Sequence, residues 1–219
     1  MNAAPVSRRA RPAKVPLSRD LVIETGLRVL DTDGSAALTM RRVAKELDTG
    51  AASLYVYVAN RDDLLTGMLD HVLSQVPVPA DGDWRTRVTQ LVETSIDALG
   101  RHDGLALVAF GRFPTTEHAL GLIEQLLCLL SEGGLDPATA TWAVDLIYLH
   151  IAAEAAENSG AGGAAYRADV SRRLADLPAR FPTMTAWQTH LRDGDGAARA
   201  RWALRALLNG IVATPVGAR

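Results

Sequence analysis

Almost every stretch of the chain after Leu17 spaces its apolar residues by three and four positions, and no run sustains the two-residue alternation of a half-buried strand. A sequence with only that period buries its apolar stripes by packing helix on helix, so the expected fold class is all-α. Glycines, prolines and capping residues cut the pattern into elements. Ser18 caps a helix through Asp33, with Asp20 near its positive end, Val22, Ile23, Leu27 and Leu30 inward, and Gly34 as the stop. Thr39 starts a second, short helix to Leu47 with Val43, Ala44 and Leu47 inward, and a third follows Asp48-Thr49-Gly50 and ends near Val58. Asn60 opens a fourth, with Asp62 and Asp63 in its first turn and Leu64, Leu65, Met68, Leu69, Val72 and Leu73 as its apolar set. After the Pro77–Gly82 loop, helices are predicted at about 84–100, 105–111, 116–132, 137–158, 166–177, 184–192 and 196–213. Asp136-Pro137 is a cap followed by a first-turn proline, whereas Gly160 to Ala165 reads as a flexible loop.

A hydrophobic fraction of 48% is enough to build a core. No apolar run approaches the roughly 20 residues of a membrane span, and no apolar signal core follows the basic N-terminus. The expectation is a cytoplasmic protein with no membrane partner. Cys128 has no second cysteine to pair with, and its setting in LLCLL predicts a small buried hydrophobe.

The net charge of −2 hides an uneven distribution. Up to Arg61 there are ten basic and six acidic residues, a net +4, which leaves −6 on the remaining 158. Residues 1–17 carry Pro5, Pro12 and Pro16 with four positive charges and no acid, and read as a flexible basic arm. Residues 18–64 then form a small helical module, and 65–219 a larger helical body.

Three short helices with a tight middle turn are what a helix-turn-helix requires: one helix braces across the nucleic-acid backbone while the next enters the major groove. The positive charge around them supplies phosphate attraction. The segment LTMRRVAKEL, followed after a short turn by SLYVYVANRDDLL, resembles the DNA-binding domain of the tetracycline repressor (TetR) family, without gaps from about Leu38 to Leu65. The resemblance implies a homodimeric, ligand-responsive regulator, a repressor released from a palindromic operator in double-stranded DNA. It places operator contacts on Thr39, Met40 and Arg41, on Ala51, Ala52, Ser53, Tyr55 and Tyr57, and on Arg61. Chemically, Arg41 is the side chain able to grip guanine O6 and N7, Thr39, Ser53, Tyr55, Tyr57 and Arg61 suit phosphates, and the two alanines offer methyl contacts. Asp48 stands where the family usually has glycine in the turn, which aspartate tolerates at the cost of some strain.

RHDG at 101–104, the Gly111–Pro114 turn, Glu124-Gln125-Leu126 and the helix from Pro137 are similar, more weakly, to the tetracycline-repressor type of C-terminal domain. That likeness implies an effector pocket and a four-helix dimer bundle. Helices at about 139–158 and 196–213 would supply it through Trp142, Val144, Ile147, Tyr148 and Ile151 and through Trp202, Leu204, Leu207, Leu208 and Ile211; monomer core is the alternative for these residues. Pocket candidates are Met68, Val72, Trp84, Val88, Gln90, Leu91, Phe110, Phe113, Leu126, Trp142, Leu146 and Leu149, most of which also suit packing. The family's metal-binding imidazole maps to Ala109 or Val108 and its drug-contacting histidine to Pro77, while Glu157 and Gln90 keep an acid and an amide. Without the imidazole no metal or cofactor is expected, and a small apolar or aromatic effector fits better.

An enzyme is disfavoured: His71, His102, His118, His150 and His190 show no metal-ligand spacing, and no phosphate loop or nucleophile motif is present. His150, Glu154 and Glu157 share a helix face that is either a polar patch of the pocket or solvent-exposed. A helical protein-binding adaptor remains the rival reading, though it leaves the basic arm and reading-helix motif without a purpose.

Overall fold

The computed structural model describes residues 16–102, 104–110, 115–178, 180–192 and 196–217, and these hold twelve helices and no strand. The first four are α1 (Arg19–Asp33), α2 (Met40–Glu46), α3 (Ala51–Leu54) and α4 (Arg61–Leu73). Their starts follow from local chemistry. Ser18, Thr39 and Asn60 each accept a hydrogen bond from an amide in the first turn that follows, at Leu21, Arg42 and Asp63. α1 ends where Gly34 takes φ 80° and its amide closes onto the Leu30 carbonyl. Leu30, Leu38, Leu54 and Leu64 are fully buried between these helices; truncating such a leucine to alanine costs about 2–5 kcal/mol.

The body contains α5 (Trp84–Gly100), α6 (Leu105–Phe110), α7 (Glu117–Glu132), α8 (Pro137–Asn158), α9 (Gly160–Ala175), α10 (Pro182–Ala186), α11 (Gln188–Arg192) and α12 (Gly196–Ala213). α4 packs on α1 at one side and on α5, α6 and α7 at the other, so the helix next to the small module is also a wall of the body. α8 lies between α5, α6 and α7, with α12 alongside. Asp136 caps α8 through the amides of Ala138 and Thr139, with Pro137 in the first turn as expected. Gly133, just past α7, allows the Trp84 ring to sit against the backbone: a Cβ there would stand 2.6 Å from Trp84 Cε2.

Three expectations need correction. Gly160–Ala165 is the first part of α9 rather than a loop: Ser159 alone turns the chain between α8 and α9, and the helix runs through the segment in spite of its three glycines. The helix expected at 184–192 is two short helices broken at Trp187. Cys128 is exposed, because α7 turns Leu122, Leu126, Leu129 and Leu130 inward and leaves position 128 outside. Residues 1–15, most of the expected basic arm, lie outside the described residues.

Candidate DNA-binding surface

The turn from α2 to α3 runs through Leu47-Asp48-Thr49-Gly50, and Asp48 has φ 48°, the single positive φ among the described non-glycine residues. Aspartate is among the few side chains that accept this conformation. The turn presents Arg41, Lys45, Asp48 and Thr49 around a shallow cleft of about 360 Å³ that reaches Ala51 of α3. Arg41 and Lys45 sit one helical turn apart, both exposed.

The other head cations are committed. Arg42 pairs with Glu46 at 2.6 Å and Asp33 at 2.9 Å. Arg19 holds Asp63 at 3.0 Å and donates to the Tyr57 carbonyl at 2.6 Å. Hydrogen bonding from Arg19 keeps the Asp63 carboxyl below its ordinary range although burial opposes this, and Asp63 also accepts from the Ala59 amide. Arg61 donates from Nε to the Leu38 carbonyl at 2.9 Å and from Nη2 to the Ser35 carbonyl at 3.1 Å. Among the described head residues, Arg41 and Lys45 are left as cations with neither an ion pair nor a hydrogen bond to the chain.

The predicted contact residues therefore separate. Arg41, Ala52, Ser53 and Tyr55 are exposed, Tyr55 at 54%, and Ala51 and Tyr57 are half-buried against the core. Met40 is a correction: its side chain is buried at 8% exposure, because the first helical position of α2 faces the core shared with α1 and α4. Thr39 spends its hydroxyl on the α2 cap, and Arg61 buttresses the α1–α2 connection rather than standing free for a phosphate. Sequence reasoning missed Lys45, whose signal was its four-residue spacing from Arg41, and Val56, 80% exposed beside Tyr55. The charge reading also sharpens. Six basic residues between Arg19 and Arg61 balance six acidic ones, so the +4 resides in Arg8, Arg9, Arg11 and Lys14, outside the described residues.

On the body, Met68, Val72, Val88, Leu91 and Leu126 come together as the dry core where α4, α5 and α7 meet, each at most 2% exposed. Trp84 is half-buried with Arg85 over its ring at 4.7 Å. Four pocket candidates lie outside the packed core: Gln90 is exposed on α5, and Trp142, Leu146 and Leu149 are exposed on the outer side of α8, because that helix turns Ala143, Ile147 and Ile151 to the core. Phe113 and the Phe110 side chain lie outside the described residues. Of the ten expected dimer residues, Val144, Ile147, Tyr148, Ile151, Leu204, Leu208 and Ile211 are monomer core, while Trp142 and Trp202 are more than 60% exposed and Leu207 is half-buried. The exposed side of α8 and α12 encloses an apolar trench of about 680 Å³ lined by Trp142, Leu146, Leu207, Ile211 and Val216.

Two carboxylate–imidazole pairs tie the helices together, the first between head and body and the second within the body. Asp31, near the end of α1, meets His102 Nδ1 at 2.8 Å. Asp70 of α4 meets His118 Nδ1 at 3.0 Å and accepts from the amides of His118 at 2.9 Å and Ala119 at 3.3 Å. Thr116 makes no side-chain cap, so α4 supplies the carboxylate at the start of α7. Burial pushes the Asp70 carboxyl up, and hydrogen bonding from the start of α7, at Thr116, His118 and Ala119, more than reverses it, holding the carboxyl below its ordinary range.

A tight helix-turn-helix packed against an all-helical body is the architecture of a DNA-binding transcriptional regulator. Residues 22–68 match the family described as "Bacterial regulatory proteins, tetR family", and residues 76–214 match "Tetracyclin repressor-like, C-terminal domain". The chain belongs to the TetR family of transcriptional regulators, whose members bind DNA and are not enzymes. It is similar to the HTH-type transcriptional repressor DrrR1 of Streptomyces coeruleorubidus, at 37% identity over 134 residues, 59% of this chain and half the length of that relative. The crystal structure of apo ActR from Streptomyces coelicolor superposes with a TM-score of 0.80 at 35% identity, covering 92% of this chain and 97% of that one. ActR in complex with actinorhodin superposes at 0.79 with 32% identity, covering 93% and 99%. Among the described residues no helix is long and apolar enough to cross a membrane.

Proposed function

We propose that the chain is a sequence-specific, cytoplasmic repressor that binds a palindromic operator as a homodimer and is released by a small apolar or aromatic effector. The observation that carries this reading is the contrast among the head cations. Arg19, Arg42 and Arg61 hold the module rigid, while Arg41 and Lys45 stand exposed beside α3. Arg41 reads a base, Lys45, Ser53 and Tyr55 grip phosphates, and Ala51, Ala52 and Val56 offer apolar contacts. The body is residues 65–219, and its exposed Trp142, Leu146, Leu149 and Trp202 are the face that a second copy covers. The complex of the TetR family protein ActR with actinorhodin supports an effector for this chain too.

Footprinting the full chain on the DNA upstream of its own gene tests the proposal. Two protected half-sites related by a dyad and about one helical turn apart are expected, with affinity falling steeply as salt rises. Absence of a footprint at low salt, with specific capture of a protein partner, would favour the adaptor reading.

A further inference from the structure

Between Arg19 and Arg61 the head has no net charge to draw it to DNA, because six basic residues balance six acidic ones. Arg19, Arg42 and Arg61 are held by carboxylates or carbonyls, and Arg41 and Lys45 stand exposed for the duplex. Affinity for DNA grows with the number of phosphates a protein neutralises, so this head alone draws weakly on the double helix. The missing charge lies in Arg8, Arg9, Arg11 and Lys14, four cations with no acid among the first 17 residues.

The point where that segment joins the fold is fixed beside the reading surface. Leu17 packs against the core and Ser18 caps α1. Arg19, the first residue of α1, donates to the Tyr57 carbonyl at 2.6 Å, just past α3, and pairs with Asp63 in the first turn of α4. The residue of α1 that meets the body is Asp31, about 18 Å further along the helix. The chain before Pro16 therefore joins the head on the side of α3 and away from the body. At about 3.4 Å per residue, Arg11 can reach at most about 17 Å from Pro16, and Arg8 about 27 Å. Adjacent major and minor grooves are about half a helical turn apart, about 17 Å. A narrow minor groove concentrates negative potential, and a guanidinium enters it at less cost in lost hydration than an ammonium; three of the four cations are arginines.

We infer that residues 8–14 are a second DNA-binding element, whose arginines enter the minor groove beside the major groove assigned to α3. The inference rests on the reading of the chain as a DNA-binding regulator and adds to it a contact that the helix-turn-helix does not make.

The test compares the full-length wild type with a quadruple variant, Arg8→Gln, Arg9→Gln, Arg11→Gln and Lys14→Gln. Fluorescence anisotropy is measured on duplexes that carry the footprinted half-sites between flanks of A·T, inosine·C or G·C pairs. An inosine·C pair has the minor groove of A·T and the major groove of G·C, whereas G·C adds the guanine 2-amine to the minor groove. Wild type is expected to bind the A·T and inosine·C flanks alike and the G·C flanks at least about fivefold more weakly. The variant is expected to keep the wild-type Tm, to bind the A·T-flanked duplex at least about tenfold more weakly, and to lose the flank preference. Its slope of log affinity against log salt should fall by about 0.9 for each arm cation that had displaced a counterion. Equal affinity of variant and wild type overturns the inference. Tighter binding by the variant overturns it too, by showing that the arm pairs with the exposed Asp20 and Glu24 of α1 instead. A lower slope in the variant, with all three flanks bound alike by wild type, puts the cations on phosphates and overturns the groove assignment. If wild type itself gives no footprint and binds no duplex at low salt, the DNA-binding reading falls and the inference with it.

Discussion

Replacing Arg61 with alanine separates two physical roles that the sequence alone runs together. A basic residue just after the reading helix invites a phosphate contact, yet its guanidinium fork is closed onto the Leu38 and Ser35 carbonyls at 2.9 and 3.1 Å. Those bonds tie the start of α4 to the α1–α2 connection, whose Leu38 side chain is fully buried. Hydrogen bonds to a charged group contribute about 1.5–3 kcal/mol each where sheltered, and less at a surface. Since Arg61 is exposed, the pair together should stabilise by about 1–2 kcal/mol, which lowers Tm by roughly 2–8 °C in a chain of this size. Urea and thermal unfolding measure that term. The slope of log affinity against log salt on a labelled duplex measures the other, because each neutralised phosphate contributes about 0.9 to it. Arg61→Ala is expected to lose stability with the salt slope unchanged, and Arg61→Lys to lose nearly as much, since an ammonium cannot bridge both carbonyls. A slope reduced by about 0.9 with an unchanged Tm would refute the reasoning and return Arg61 to the phosphates.

Asp70→Ala removes the carboxylate that α4 lends to the start of α7 and should cost about 0.5–2 kcal/mol at pH 7, the worth of a helix cap. Because the folded-state pKa of Asp70 is depressed, this contribution is complete above the unfolded carboxylate pKa and fades as pH falls through the folded one, so wild type and variant should converge in unfolding free energy below about pH 4. A gap that persists undiminished at pH 2 would contradict it. Trp142→Asp, on the exposed side of α8, should leave the fold intact by circular dichroism and shift sedimentation towards monomer; an unchanged dimer would place the interface elsewhere.

What was legible in the sequence was the chemistry that acts over a few residues. Ser18, Asn60 and Asp136 announce their helices because a cap bonds an amide two or three positions on, and Asp48 announces the left-handed turn because few other side chains tolerate it. The position of Arg41 beside an exposed third helix was legible for the same reason. What was not legible depends on partners far along the chain. Arg61 finds its carbonyls 23 and 26 residues earlier, and Asp70 meets α7 nearly 50 residues later. α8 is apolar around most of its circumference, so its pattern does not say which stripe is core and which is outer. Val144 and Ile151 consequently moved inward and Leu146 and Leu149 outward. Met40 likewise sits next to Arg41 in α2 but on a different side of the helix, facing the core.

The central claim is that a rigid helix-turn-helix presents Arg41 to read a base. The direct measurement is the ratio of affinities of wild type and Arg41→Ala for the footprinted operator and for a scrambled duplex of equal length, at one salt concentration. Loss of one bidentate base contact per half-site predicts that the specificity ratio falls by about 1–3 kcal/mol per site, roughly 5- to 150-fold, while affinity for scrambled DNA changes far less. Equal weakening on both duplexes would assign Arg41 to the phosphates and contradict the account.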